Sequence, residues 1–133
     1  MYDTAKVNAL ILWDPTPFSR EMDKEWSKIF KYNKKIGSYI IDWGVQALIK
    51  KEMFSDLKAI NKSKIISAVR DIKSPTKIIS SRNSFMIKGA KEYYNSMNCK
   101  KSHIVLKNSG HTFSEEGVEE KLFKETLDWV KNF

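Results

Sequence analysis

The stretch Ser102-His103-Ile104-Val105-Leu106-Lys107-Asn108-Ser109-Gly110-His111-Thr112-Phe113-Ser114 reads as an apolar strand, a loop and the cap of a helix. Beyond it Val118, Leu122, Leu127, Val130 and Phe133 recur at helical spacing, which predicts the buried stripe of a last helix. His111 sits beside a glycine on the strand-to-helix loop. A general base in that position reaches into a cleft above a parallel sheet. The Gly-x-Ser-x-Gly turn that carries the usual serine partner of such a histidine does not occur among the 133 residues.

The pattern continues towards the N-terminus. Thr76 to Ser81 is a strand entered through Ser74-Pro75, and Asn83 and Ser84 can cap a helix whose inward face is Ile87, Ala90, Tyr94 and Met97. Lys62 to Ile72 places Ile65, Val69 and Ile72 on one helical face. Val7 to Trp13 is a continuous apolar run of strand length closed by Asp14-Pro15-Thr16-Pro17, as in a strand covered on both faces. Phe18, Met22, Trp26, Ile29 and Phe30 are helically spaced up to about Tyr32. Asn33 to about Asn61, with Gly37, Gly44 and the turn-like Phe54-Ser55-Asp56-Leu57, reads as short helices or a hairpin. The expectation is one α/β domain over 1–133 with a helical, lid-like insertion over about 18–61. Its three strands are parallel, with right-handed crossovers.

Composition narrows the class. With 41% hydrophobic residues, four Trp, seven Phe and five Tyr, the chain is of globular rather than disordered type. Cys99 is alone, so no internal disulfide or cysteine-based zinc site is expected, and a reducing, cytoplasmic setting is. No apolar run approaches the roughly 20 residues that cross a bilayer, and Met1 to Lys6 lacks the build of a signal peptide. The net charge of +8 is spread along the chain, densest at Lys34-Lys35, Lys50-Lys51 and Lys100-Lys101, without a basic run that alternates with aromatics. It reads as solvated surface lysine rather than a nucleic-acid interface. Glu115, Glu116, Glu119 and Glu120 open the last helix, where they suit its dipole.

Pro75-Thr76-Lys77-Ile78-Ile79, Gly89-Ala90-Lys91-Glu92-Tyr93-Tyr94, His103-Ile104-Val105-Leu106 and Gly110-His111-Thr112-Phe113 together resemble the C-terminal half of an α/β-hydrolase, in particular the small esterase and dienelactone-hydrolase-like branch. Lys51 to Leu57 is similar to the lid-to-helix segment of those enzymes. The resemblance makes Val7 to Pro15 the sixth strand of the family sheet, Thr76 to Ser81 the seventh and Ser102 to Leu106 the eighth. It implies acyl-ester hydrolysis by a nucleophile, an acid and a histidine in that chain order, and no metal or organic cofactor.

On that resemblance His111 takes the general-base position, and Ser84 stands where the acid is expected, since no Asp or Glu occurs between Asp71 and Glu92. A serine gives an imidazolium no charge stabilisation, though Asn83 or Ser84 can still orient the ring. Asp14, at the end of the sixth strand, is the alternative acid. Its plainer reading is a turn closed ahead of Pro15. Cys99 lies away from the active face and reads as an unreactive thiol, and His103, within a strand, reads as structural.

Two principal expectations follow, with a third to be tested against them. One is a hydrolase subunit or fragment whose serine comes from a partner polypeptide. The other is a noncatalytic binding or scaffold domain with Trp13, Phe18, Trp26 and Trp43 lining a pocket, homodimeric through the exposed edge of the first strand. The third, nucleic-acid binding, would show a steep salt dependence.

Overall fold

The computed structural model describes residues 7–16, 30–42, 46–53, 56 and 61–133. The chain divides into two compact units, one of Met1–Pro17 with Ile66–Phe133 and one of Phe18–Ile65.

In the first unit, β1 (Leu10–Trp13), β5 (Thr76–Ser81) and β6 (Lys101–Leu106) form a parallel sheet in the order β1-β5-β6. The strands between them in sequence, β2 (Lys31–Asn33), β3 (Ser38–Asp42) and β4 (Gln46–Lys50), belong to the second unit. The central strand β5, Thr-Lys-Ile-Ile-Ser-Ser, is buried at every residue, with Ile78 and Ile79 at its centre, small hydroxyl residues towards its ends and Lys77 neutralised by Glu125. Its alternation divides the two faces. Ser80 and His103 meet on one face, where Tyr94 of α2 (Ile87–Ser96) packs against the His103 ring with centroids 5.8 Å apart. Ile79 points to the other, where it joins Phe113, Val118 and Leu122, with Ile11, Ile104 and Leu106 packed around them. Val118 and Leu122 belong to α3 (Val118–Val130), so α2 and α3 cover opposite faces. Burying each of these aliphatic side chains contributes on the order of 1.5–3 kcal/mol.

Lys77 shares the α3 face. Its buried ammonium donates to Glu125 Oε2 at 2.5 Å and to the Glu125 carbonyl at 3.1 Å, tying α3 to the centre of the sheet. Asn61 opens α1 (Lys62–Asp71) by accepting from the Lys64 backbone N–H at 2.9 Å.

Three expectations are corrected in detail. Gly117, with φ +69°, stands at the start of α3 in place of a Ser114 cap, so that of the four glutamates only Glu119 and Glu120 lie in the first turn. In the stripe assigned to that helix, Val118 and Leu122 are buried but Leu127, Val130 and Phe133 are exposed. The inward line runs from Leu122 through Glu125 towards Trp129, and Leu127 and Val130 fall a third of a turn or more to its side. On α2 it is Tyr93 that is buried; Tyr94 lies half-exposed against His103.

The second unit holds an antiparallel sheet of β2 (Lys31–Asn33), β3 (Ser38–Asp42) and β4 (Gln46–Lys50) in that order, so of the two readings of Asn33 to Asn61 the hairpin holds over Lys31–Lys50 in place of a helical insertion there. Gly37 at φ +63° closes the turn from Lys34 that joins β2 to β3. Asn33 Oδ1 accepts from the Lys35 N–H at 2.9 Å within that turn. The helical spacing from Phe18 to Ile29, and Trp26 and Trp43, lie outside the described residues. Among the described residues no helix is long and apolar enough to cross a membrane.

Candidate active site

The site lies at the C-terminal ends of the parallel strands, where backbones diverge into loops. Trp13 is paired with Ile79 and Ser81 with Leu106, so the residue after β1 and the loop after β6 converge on the end of β5. Asp14 leaves the strand at φ +40°, a conformation uncommon for a non-glycine residue, while its N–H still donates to Ile79 O at 2.8 Å. Its carboxylate is turned inward and only 1% of the residue is exposed. The Ser81 backbone N–H donates to Asp14 Oδ1 at 3.2 Å, and His111 Nδ1 donates to Asp14 Oδ2 at 2.8 Å.

That pair joins residues 97 positions apart. The buried carboxylate accepts a hydrogen bond from each of two donors, which offsets the cost of removing its charge from water. Because a carboxylate only accepts, the bond fixes the proton on Nδ1 and leaves the Nε2 lone pair as the basic atom. His111 remains about half exposed, with 52% of its side chain accessible, so the imidazole is held from within and open without.

The His111 loop is anchored on both sides. Ser109 is fully buried; its Oγ donates to Leu106 O at 2.8 Å, and its carbonyl accepts from the Ser81 hydroxyl and from the Asn83 N–H at 3.1 Å. On the far side, the Gly110 N–H donates to Glu115 Oε1 at 2.6 Å and the Phe113 N–H to Gly110 O at 3.1 Å. A Cβ on Gly110 would stand 2.8 Å from that Glu115 oxygen, so glycine admits the clamp. Phe113 holds φ +54° with its ring in the core, and its fixed position sets the exit of the turn. Ser81, Ser109 and Glu115 are positioning groups that no spacing rule in the sequence singles out.

Ser84 makes no hydrogen bond to His111. Its buried Oγ accepts from the Met86 N–H at 3.1 Å, at the entrance to α2. Asn83 engages through its backbone alone in the contact with Ser109. Cys99 lies at the opposite end of the sheet, just before β6 begins, where its thiol is 3.7 Å from Thr76 Oγ1. His103 is half-buried, 2.9 Å from Ser80 Oγ, and desolvation followed by the nearby Lys91 charge holds its imidazole below its ordinary pKa. Among the described residues no group of three or more His, Cys, Asp or Glu is arranged to hold a metal ion.

A cavity of about 380 Å³ opens beside the imidazole, lined by Trp13, His111, Thr112, Phe113, Glu119 and Phe123 among others. Trp13 is steadied there by its indole N–H, which donates to Thr126 Oγ1 at 3.0 Å, and by Phe123, with ring centroids 6.0 Å apart. Of the four residues expected to line a pocket, Trp13 does so; Phe18, Trp26 and Trp43 lie outside the described residues.

A parallel sheet flanked by helices, with an acid after one strand and a histidine after another, is the architecture of an α/β-hydrolase-like fold. The chain is similar to the crystal structure of the esterase domain of a Rhodothermus marinus protein, with a TM-score of 0.69 and 17% identity, over 95% of this chain and 52% of that one. It thus spans about half the length of that domain. No family profile and no curated protein sequence matches it.

Proposed function

We propose that this chain is an α/β-hydrolase-type subunit or fragment, corresponding to the C-terminal half of that fold, and that it supplies the acid and base of an ester or acyl hydrolase. Asp14 is the acid, His111 the base, and a serine carried by a partner polypeptide the nucleophile. The observation that carries this reading is the 2.8 Å bond from His111 Nδ1 to a buried carboxylate that is itself held by the Ser81 N–H.

In the mechanism His111 Nε2 takes the serine proton as the serine oxygen attacks the ester carbonyl, and Asp14 stabilises the resulting imidazolium without taking its proton. The imidazolium then protonates the departing alcohol. In the second half-reaction Nε2 deprotonates water, which attacks the acyl-serine, and the proton returns to the serine as the carboxylic acid leaves. The apolar walls of Trp13, Phe113 and Phe123 suit the acyl or alcohol part of a small ester. A cytoplasmic location fits the single Cys99.

The test uses a fluorophosphonate, which labels activated serines, on the assembly purified through a tag on this chain. A labelled companion polypeptide and cleavage of p-nitrophenyl acetate, both lost with His111→Ala, are expected. The isolated chain is expected to show neither. An assembly that hydrolyses no short acyl ester and takes no label would overturn the proposal.

A further inference from the structure

The parallel ladder of β5 and β6 runs on past its last strand residues. Ser81 is paired with Leu106, and the Arg82 N–H donates to Leu106 O at 3.0 Å, which carries the register one step further and sets Arg82 beside Lys107. Residues two apart along a strand share a face. Arg82 therefore falls with Ser80, and Lys107 with Val105 and His103, on the side of the sheet that α2 covers. Two exposed cations thus stand next to each other on backbones about 5 Å apart.

Like charges in that relation are destabilising unless a counter-charge answers them. Among the described residues no carboxylate pairs with Arg82 or Lys107. The first turn of α2, entered through the loop that begins at Arg82, holds Lys88 and no acid. Beside the two cations the surface is hollow, with a cavity of about 390 Å³ lined by Arg82, Val105, Lys107 and Asn108. Asn108 turns the chain there at φ +55°, which asparagine adopts more readily than most residues. The cavity shares no lining residue with the one at His111.

The geometry points to a binding site for a phosphate dianion, free or as the head of a small organic monoester, held between the Arg82 guanidinium and the Lys107 ammonium. Charge selects this ligand: two cations call for two negative charges, and a carboxylate supplies one. Arg82 brings paired N–H donors that fit two oxygens of a tetrahedral anion, and Lys107 brings a point charge for a third. The Asn108 amide adds a neutral donor, and Val105 forms the apolar wall against which the carbon of a monoester lies. A bound dianion turns the repulsion between the two cations into attraction to a shared partner.

The whole chain, labelled with 15N, is titrated with inorganic phosphate and separately with phenyl phosphate at about pH 8, where both are dianions, with sodium chloride holding the ionic strength constant. Saturable shifts of the Arg82, Lys107 and Asn108 amide resonances are expected, half-complete at about 1 mM or below. Arg82→Gln and Lys107→Gln should each weaken binding about tenfold or more, since each removes a charge-assisted contact. Both side chains are exposed, so the variants keep the fold, and their own spectra verify it. Lys34→Gln with Lys35→Gln removes more charge, from the exposed turn between β2 and β3, and should leave the affinity within about twofold. Tighter binding of phenyl phosphate assigns the monoester as the ligand; binding no tighter than that of inorganic phosphate assigns the free ion. Shifts that rise without saturating, that spread over the lysines at large, or that persist unchanged in either the Arg82 or the Lys107 variant overturn the site.

Discussion

Asp14 holds three unfavourable features at once: a positive φ, near-complete burial and a charge. Each costs on the order of 1 kcal/mol or more unless surroundings offset it, and the Ser81 and His111 donors do so. Asp14→Asn keeps the shape but offers the imidazole an amide, which holds the wrong tautomer. In the active assembly it is expected to lower kcat by about 10⁴ with little change in KM, measured on a p-nitrophenyl ester. Ser84→Ala should leave kcat unchanged and cost about 1 kcal/mol in urea unfolding, since the serine serves the Met86 N–H. The histidine was legible because Gly-His-Thr-Phe lies in a local strand-to-helix context. Asp14 stood only as the alternative to Ser84, because its contact with His111 depends on register: the pairing of Trp13 with Ile79 and of Ser81 with Leu106 brings position 14 to position 111. A Trp-Asp-Pro sequence carries no local sign of that, and a turn explains it equally well.

At the scale of elements, short stretches bounded by turn residues were readable as parallel strands, and β5 spans the Thr76 to Ser81 read from the sequence. The antiparallel sheet was harder to read, since five-residue apolar patches fit a helix turn or a pleat, and long-range pairing decides between them. α3 shows a different limit. Periodicity reports every apolar face a helix has, including one that this chain does not itself fill. Leu122→Ala is therefore expected to destabilise the isolated chain by about 2–5 kcal/mol, because it empties a packed position beside Ile79 and Phe113. Leu127→Ala should change it by less than about 0.5 kcal/mol, because Leu127 is 52% exposed. Chemical denaturation of the two variants distinguishes them, and comparable losses would mean that the exposed flank is covered within the chain.

Across the whole molecule, the strand order β1-β5-β6 puts the His111–Asp14 pair at one end of the sheet and a second histidine, His103, within it, where its own neighbours set its response to pH. His103 lies among Ser80, the Tyr94 ring and the Lys91 charge, and among the described residues no carboxylate pairs with it. Burial and that positive charge disfavour its protonation in the folded state, so its folded pKa is below the unfolded value near 6.5. As pH falls through about 6.5 the unfolded chain binds the proton first, and the equilibrium moves towards unfolding. The stability that neutral His103 contributes is thus fully present above the unfolded pKa. It is lost progressively down to the folded one, below which both states are protonated. His103→Gln keeps a hydrogen-bonding group opposite Ser80 and removes the titration. Thermal midpoints measured from pH 7.5 to 5 should fall more steeply for the wild type than for this variant, and the His103 ring resonances should titrate below 6.5 by NMR. Parallel curves for the two proteins would show that the imidazole is free to take up its proton in the folded sheet.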